Sequence, residues 1–384
     1  MEDYKICIAF IIGGFISSLI IESFILPKII IFSRKKGLFD MPNDRKEHEI
    51  PVPRLGGISF FPVLLLITII ILYIRLQMMG NAYLPIFYKV IGDLMMIICG
   101  FLILYIVGIK DDLSGVSYKK KFIVQLVASV FMIASDTYID NFYGLFGIYE
   151  IPIWIGIPLS MFLCIYITNS INLIDGIDGL ASGLSSVALI VYGCLFFISE
   201  QWTLSILCFT MLGILASFFY YNVFSTKNKI FMGDTGSLML GFLLSFLGIR
   251  LAMDLPESSF AQPTGAILVA ASVLIIPMFD TVKVMYARFR LHKNIFTPDR
   301  KHLHHRLIDI GFSHRTAMII IISSSIIITL TNIYALQHMD INIVFGADLI
   351  ILLSSNGLIS YQRNVKVQRI TALARFPKNE LQEN

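Results

Sequence analysis

Long runs of apolar residues broken by short polar segments dominate this chain, and their length fits helices that cross a bilayer, which need about 20 mostly apolar residues each. Eleven such runs are read, at roughly 6–32, 56–78, 86–109, 122–135, 152–170, 179–199, 203–223, 237–252, 263–285, 316–336 and 343–361. Those at 122–135 and 237–252 are short for a span. Pro62, Pro158 and Pro277 fall inside runs; in a membrane bundle, neighbouring helices can satisfy the backbone groups a proline frees. The apolar run from Ile6 is long, follows a short acidic start and shows no small-residue cleavage site, so a retained first helix is expected rather than a cleaved signal.

Composition agrees. The 384 residues are 56% hydrophobic and only 15% charged, against about 25% charged in soluble domains; mean hydropathy is +0.78. All five cysteines (Cys7, Cys99, Cys164, Cys194 and Cys208) lie in apolar runs without a CxxC pair, so they read as small buried hydrophobes, neither disulfides nor a zinc site.

The net charge of +4 matters less than its placement. Of 30 Lys and Arg residues, 24 fall in alternate loops: 33–54, 110–121, 224–236, 286–315 and the tail 362–384. The intervening loops hold only Lys5 and Arg250. Positive residues mark the cytoplasmic side. The expected fold is therefore an all-α polytopic membrane protein of about eleven spans, with a periplasmic N-terminus and a cytoplasmic C-terminus. Residues 1–361 would form one membrane domain and 362–384 a basic tail. The cytoplasmic loops also hold most titratable groups, including six of the seven histidines at or near them, so chemistry is expected at that face.

Five cytoplasmic segments carry candidate chemistry. Asp111-Asp112 closes a span; adjacent carboxylates there are costly to desolvate and would be relieved by a divalent cation or a shared proton, unless they are simply a solvated pair at a helix end. The segment NSINLIDGIDGL, residues 169–180, sets Asn172, Asp175 and Asp178 three apart. If helical they share one face and offer oxygens suited to Mg²⁺; the same residues also suit a turn. FMGDTGS at 231–237 places Gly233 and Asp234 at the start of a run, as an anion seat on helix N–H groups or as a helix cap.

PDRKHLHHRL at 298–307 holds His302, His304, His305 and Arg306 beside further cations. It suits a phosphate or sugar better than a metal, or else anionic lipid. Loop 33–54 offers Lys46 and His48 to a nucleotide's phosphates, or anchors by positive charge alone. Lys121 with Gln125, and Asp280 with Lys283, are polar pairs at span ends that could equally be snorkelling or ion-paired groups. Together, carboxylates, glycines and cations on one face are the equipment of phosphoryl transfer, which depends on positioning and charge neutralisation.

In this order the motifs Asp111-Asp112 with Lys121 and Gln125, Asn172-x-x-Asp175-Gly-x-Asp178-Gly179, Phe231-Met-Gly-Asp-Thr-Gly-Ser237 and His302-x-His304-His305 resemble the polyprenyl-phosphate N-acetylhexosamine-1-phosphate transferases. The resemblance covers about residues 30 to 310. It implies a UDP-N-acetylhexosamine donor, undecaprenyl phosphate as acceptor, UMP as product, Mg²⁺ as cofactor with Mn²⁺ as a substitute, and a role in O-antigen, teichoic-acid-linkage or capsule synthesis at the inner membrane. It places Asn172 and Asp234 at the metal and Asp111, Asp112, Asp175 and Asp178 around the phosphates. Lys46, His48, Lys121, Gly233, Asp280, His302, His304, His305 and Arg306 would contact substrate. GlcNAc is the first sugar to test, with GalNAc and FucNAc as alternatives. A homodimer is a candidate assembly, and no nucleic-acid partner is implied. Lys110 stands where the family pattern has an apolar residue. Two other classes compete: a polyprenyl-lipid transporter, whose charges would lie near the midplane, and a polyprenyl-pyrophosphate phosphatase, which would need no nucleotide.

Overall fold

A computed structural model describes residues 2–40, 51–78, 84–254, 263–292 and 302–374. The chain is helical, as expected from the apolar runs, because a backbone in hydrocarbon must satisfy its own hydrogen bonds. Thirteen helices occur among these residues: α1 (Glu2–Lys36), α2 (Phe60–Met78), α3 (Leu84–Ser114), α4 (Tyr118–Ala134), α5 (Ile153–Ile174), α6 (Leu180–Ile198), α7 (Trp202–Phe219), α8 (Gly233–Asp254), α9 (Pro263–Ser272), α10 (Ile275–Arg290), α11 (Leu303–Ile310), α12 (His314–Ala335) and α13 (Ile341–Ala374). Two short strands, β1 (Phe39–Asp40) and β2 (Val52–Pro53), pair antiparallel at one end of the bundle.

Nine of the described helical segments are long and apolar enough to cross a membrane, and α9 with α10 would make a tenth. The short run at 122–135 is α4, whose 17 residues span only about 26 Å. The short run at 237–252, by contrast, is the middle of the buried centre. Helix α8 is buried on nearly every side, as a helix apolar all round should be, and packs on α3, α5, α6 and α9. Small residues let these backbones close in, as is common between membrane helices. A Cβ on Gly108 of α3 would lie 2.5 Å from the Cα of Thr235, and one on Gly241 would lie 2.5 Å from the Cα of Thr168 in α5.

The run at 263–285 is not one straight helix. It breaks at Val273–Leu274, and α9 and α10 diverge by 73°. Pro277 explains the break, since it has no N–H to give the Val273 carbonyl. Ser325 of α12 supplies the missing donor, its hydroxyl reaching Val273 O at 3.2 Å. The five cysteines are free thiols; Cys7, Cys164 and Cys208 are buried, while Cys99 is half-buried and Cys194 exposed.

Candidate active site

The polar segments between helices meet at one end of the bundle around a cavity of about 720 Å³. Its walls bring together Asp111 and Asp112 of α3, Asn172 of α5, Asp175, Gly176 and Asp178 of the α5–α6 turn, Gly233 and Asp234 of α8, and His305 of α11. Segments up to about 190 residues apart in sequence thus converge on this cavity.

Local folding differs from a continuous helix through 180. Helix α5 ends at Ile174, and residues 175–179 form a turn. Gly179 closes it with φ +76°, where a Cβ would also strike the Met318 sulfur and Val223. Asn222 locks the turn from a π-helical segment after α7: its Oδ1 accepts the Gly179 N–H at 2.7 Å, and its Nδ2 donates to Ile230 O at 2.8 Å. Asn222 therefore ties the two acidic segments together. Its only sequence signal was a lone amide at the end of an apolar run, and the sequence reading missed it, as it missed Lys229 and His314 on the same wall.

The anion seat at the N-terminus of α8 is already filled by the chain itself. Asp112 accepts the N–H groups of Asp234 (2.9 Å) and Thr235 (3.0 Å) and the Thr235 hydroxyl (2.6 Å). A carboxylate at a helix N-terminus is favoured by both hydrogen bonding and the helix dipole. Gly233 permits this approach: it has φ +75°, and a Cβ there would lie 2.3 Å from Arg54 O and 2.7 Å from the Asp112 carboxylate. Arg54 also donates to Asp111 O at 3.1 Å and stands 3.5 Å from Asp112.

Asp234 projects beside this cap. Lys121 bridges it to Asp111, at 2.5 and 2.6 Å, and Asn172 Nδ2 donates to it and to Ser237 Oγ, both at 2.8 Å. Lys229 pairs with Asp178 at 2.6 Å. Among the described residues, five carboxylates thus face three cations, Arg54, Lys121 and Lys229, and the excess there is acidic. Asp175, in the turn outside the spans, bears the consequence. Desolvation first, then the charges of Asp234, Asp178 and Asp112, push its carboxyl up to about 7. In the ligand-free protein Asp175 therefore takes up a proton on folding, and the cost of ionising it appears as pH rises from the ordinary carboxylate range through about 7. The thermal midpoint of Asp175→Asn should overtake that of the parent as pH climbs through this window. Parallel pH profiles for the two proteins would contradict the assignment.

The histidine segment divides by role. His304 is buried against the Gly176 backbone, so that a Cβ on Gly176 would lie 2.4 Å from its Nε2, and His305 lines the cavity. Asp280, His302 and Arg306 lie outside the cavity wall and hold α11 in place. The Asp280 carboxylate meets His302 Nδ1 at 2.8 Å, the Leu303 N–H at 2.9 Å and Lys283 at 2.7 Å. Arg306 donates to the side chain and carbonyl of Asn356 and to Ser360, all on α13. Lys110 is exposed, away from the cavity wall. Lys46 and His48 lie outside the described residues.

Hard oxygen donors with a negative excess fit Mg²⁺, which is usually held by one or two carboxylates together with substrate phosphates. Among the described residues no three His, Cys, Asp or Glu side chains form a ready-made metal cage.

Residues 94–252 match the family model described as Glycosyl transferase family 4. The chain is 31% identical over 316 residues to a Bacillus subtilis (strain 168) protein named a probable undecaprenyl-phosphate N-acetylglucosaminyl 1-phosphate transferase, covering 81% of each chain. It is 31% identical over 311 residues to the undecaprenyl-phosphate alpha-N-acetylglucosaminyl 1-phosphate transferase of Salmonella typhi, covering 79% of each. It is 30% identical over 315 residues to the enzyme of that name from Escherichia coli (strain K12), covering 80% of each. With the acidic cavity set among membrane helices, these similarities show that the chain is a sugar-1-phosphate transferase and belongs to the polyprenyl-phosphate N-acetylhexosamine-1-phosphate transferases.

Proposed function

We propose that the chain transfers N-acetylhexosamine-1-phosphate, with GlcNAc-1-phosphate the first candidate, from its UDP-sugar to undecaprenyl phosphate. It would release UMP on the cytoplasmic side of the inner membrane, as the first membrane step of a surface polysaccharide. The observation that carries this reading is the convergence of Asp111, Asn172, Asp175 and Asp234 on one cavity at the end of the bundle that also carries the Lys- and Arg-rich loops. Charges at one face, rather than near the midplane, count against a transporter. The chain would cross the bilayer eleven times, in the nine long helices, the bent pair and α4, with the N-terminus outside.

In the reaction, an oxygen of the acceptor phosphate forms a bond to the sugar-bound phosphorus, and the bond from that phosphorus to the bridging oxygen of UMP breaks. Asp234 and Asn172 would hold Mg²⁺, with Mn²⁺ as a substitute. When bound, the ion neutralises the pyrophosphate and stabilises the leaving UMP. Lys121, already shared by Asp234 and Asp111, sets the spacing of those carboxylates. Both oxygens of Asp112 are engaged at the α8 N-terminus, and those of Asp111 are held by the Val116 N–H and Lys121. The Asp111 side chain is the less buried of the two, 7% exposed against 1%, and would be the one to orient or deprotonate the acceptor phosphate. Asp175 and Asp178 border the phosphates. His305, backed by the buried His304, faces the cavity as a contact for the sugar or its phosphate.

The test uses purified protein, undecaprenyl phosphate and a panel of UDP-N-acetylhexosamines, including GlcNAc, GalNAc and FucNAc. UMP and a lipid pyrophosphate-linked sugar should appear together with one donor, vanish on chelation and return with Mg²⁺. Lipid dephosphorylation without any nucleotide would favour the phosphatase instead, and no UMP from any donor would sink the proposal.

A further inference from the structure

The turn at Gly56–Ser59, just before α2, is the seat on which the first turn of α8 rests. Gly56 donates its N–H to Phe231 O at 2.9 Å, and Gly57 donates to Met232 O at 2.8 Å. A Cβ on Gly57 would lie 2.2 Å from the Gly236 Cα, so the two backbones are in direct contact two residues from Asp234. The seat is pinned from α3, where the Tyr105 hydroxyl donates to Ile58 O at 3.1 Å. It is also pinned from α1, by a residue that the transfer reaction does not otherwise use.

That residue is Glu22. It is fully buried in the first span, and its Oε1 lies 2.5 Å from the Ser59 hydroxyl. The same hydroxyl lies 3.2 Å from Gly56 O. A serine hydroxyl has one proton to give. If Glu22 were ionised, both of these neighbours would be acceptors, and one contact would set lone pair against lone pair. A proton on Glu22 removes the conflict: Glu22 O–H donates to Ser59 Oγ, and Ser59 O–H donates to Gly56 O. The surroundings agree. Among the described residues Glu22 has no ion-pair partner, and its Oε2 is buried without a hydrogen bond. A bare carboxylate there would carry an uncompensated charge inside the bilayer.

We infer that Glu22 is a protonated carboxylic acid and a positioning residue for sugar-phosphate transfer. Through Ser59 and Gly56 it fixes the backbone seat that places Asp234 in the cavity. This rests on the role proposed above for Asp234.

Glu22→Gln, Glu22→Ala and Ser59→Ala test it in the full-length protein, by the kcat and KM of UMP release, by thermal midpoint, and by infrared difference spectroscopy of the carboxylic C=O stretch. Gln keeps an N–H that can donate to Ser59, so Glu22→Gln should hold kcat within about 3-fold of the parent. Glu22→Ala and Ser59→Ala should each lower kcat about 10- to 100-fold, the scale of one buried hydrogen bond, with donor KM changed far less. The double variant should be no worse than either single one, since both act through one chain of bonds.

The parent should also show a protonated-carboxyl band near neutral pH that Glu22→Gln lacks. Absence of that band, or a Glu22→Gln protein as impaired as Glu22→Ala, would overturn the protonated state. Full kcat in Glu22→Ala would overturn the positioning role. A parent that turns over no donor would instead sink the reaction reading, and the band, which needs no turnover, still decides the state of Glu22.

Discussion

Asp234→Asn is expected to lower UMP release about 10²- to 10³-fold while leaving the protein folded in the membrane. The rate effect follows from the charge that is lost: groups that stabilise a developing anion, directly or through a metal, are worth this much when removed singly. The fold should survive for local reasons. Lys121 keeps Asp111 at 2.6 Å as a partner, so no buried cation is stranded. An Asn carbonyl at 234 can still accept from Asn172, and the cavity loses one of its like charges. Activity and thermal midpoint, measured on the same preparation, decide the matter. Normal turnover would remove Asp234 from the metal. Loss of folded protein would mean that its pairing with Lys121 is mainly structural.

The neighbouring carboxylate should behave in the opposite way. Asp112→Ala is expected to cost about 3–5 kcal/mol of stability, the range for removing one partner of a buried charged cluster. The change strands the N–H groups of Asp234 and Thr235 and the Thr235 hydroxyl, all of which now end on Asp112. It also leaves Arg54 without the carboxylate 3.5 Å away. Asp112→Asn should fall between, since its carbonyl can keep the two Thr235 donors that share Oδ2 while its amide group opposes the Asp234 N–H. Thermal unfolding in detergent reads the effect directly. If Asp112→Ala unfolded like the parent yet failed to turn over, Asp112 would belong to the chemistry and not to the α8 cap.

Adjacent in sequence, Asp111 and Asp112 thus have different partners, and the motif by itself could not separate them. What the amino-acid sequence does determine is set locally. The positions of the apolar runs follow from the length of bilayer a helix must cross, and the loop cations state which ends share a side. The ordered carboxylates at 111–112, 172–178 and 234 already marked the reaction class. The tertiary structure decided what depends on distant partners. Helix α5 stops at Ile174 because Gly179, held by Asn222, needs a turn there. The run at 263–285 breaks because Pro277 withholds an N–H that Ser325 replaces. Asp280, His302 and Arg306 anchor α11 to α10 and α13, while His305 reaches the cavity. Glu22 is one polar residue in a long apolar run until Ser59, 37 residues on, comes within 2.5 Å of it. Hydrophobic length and charge placement are properties of a segment and can be read along the chain. The role of a carboxylate is set by which donors surround it, and those come from elements that only folding brings together.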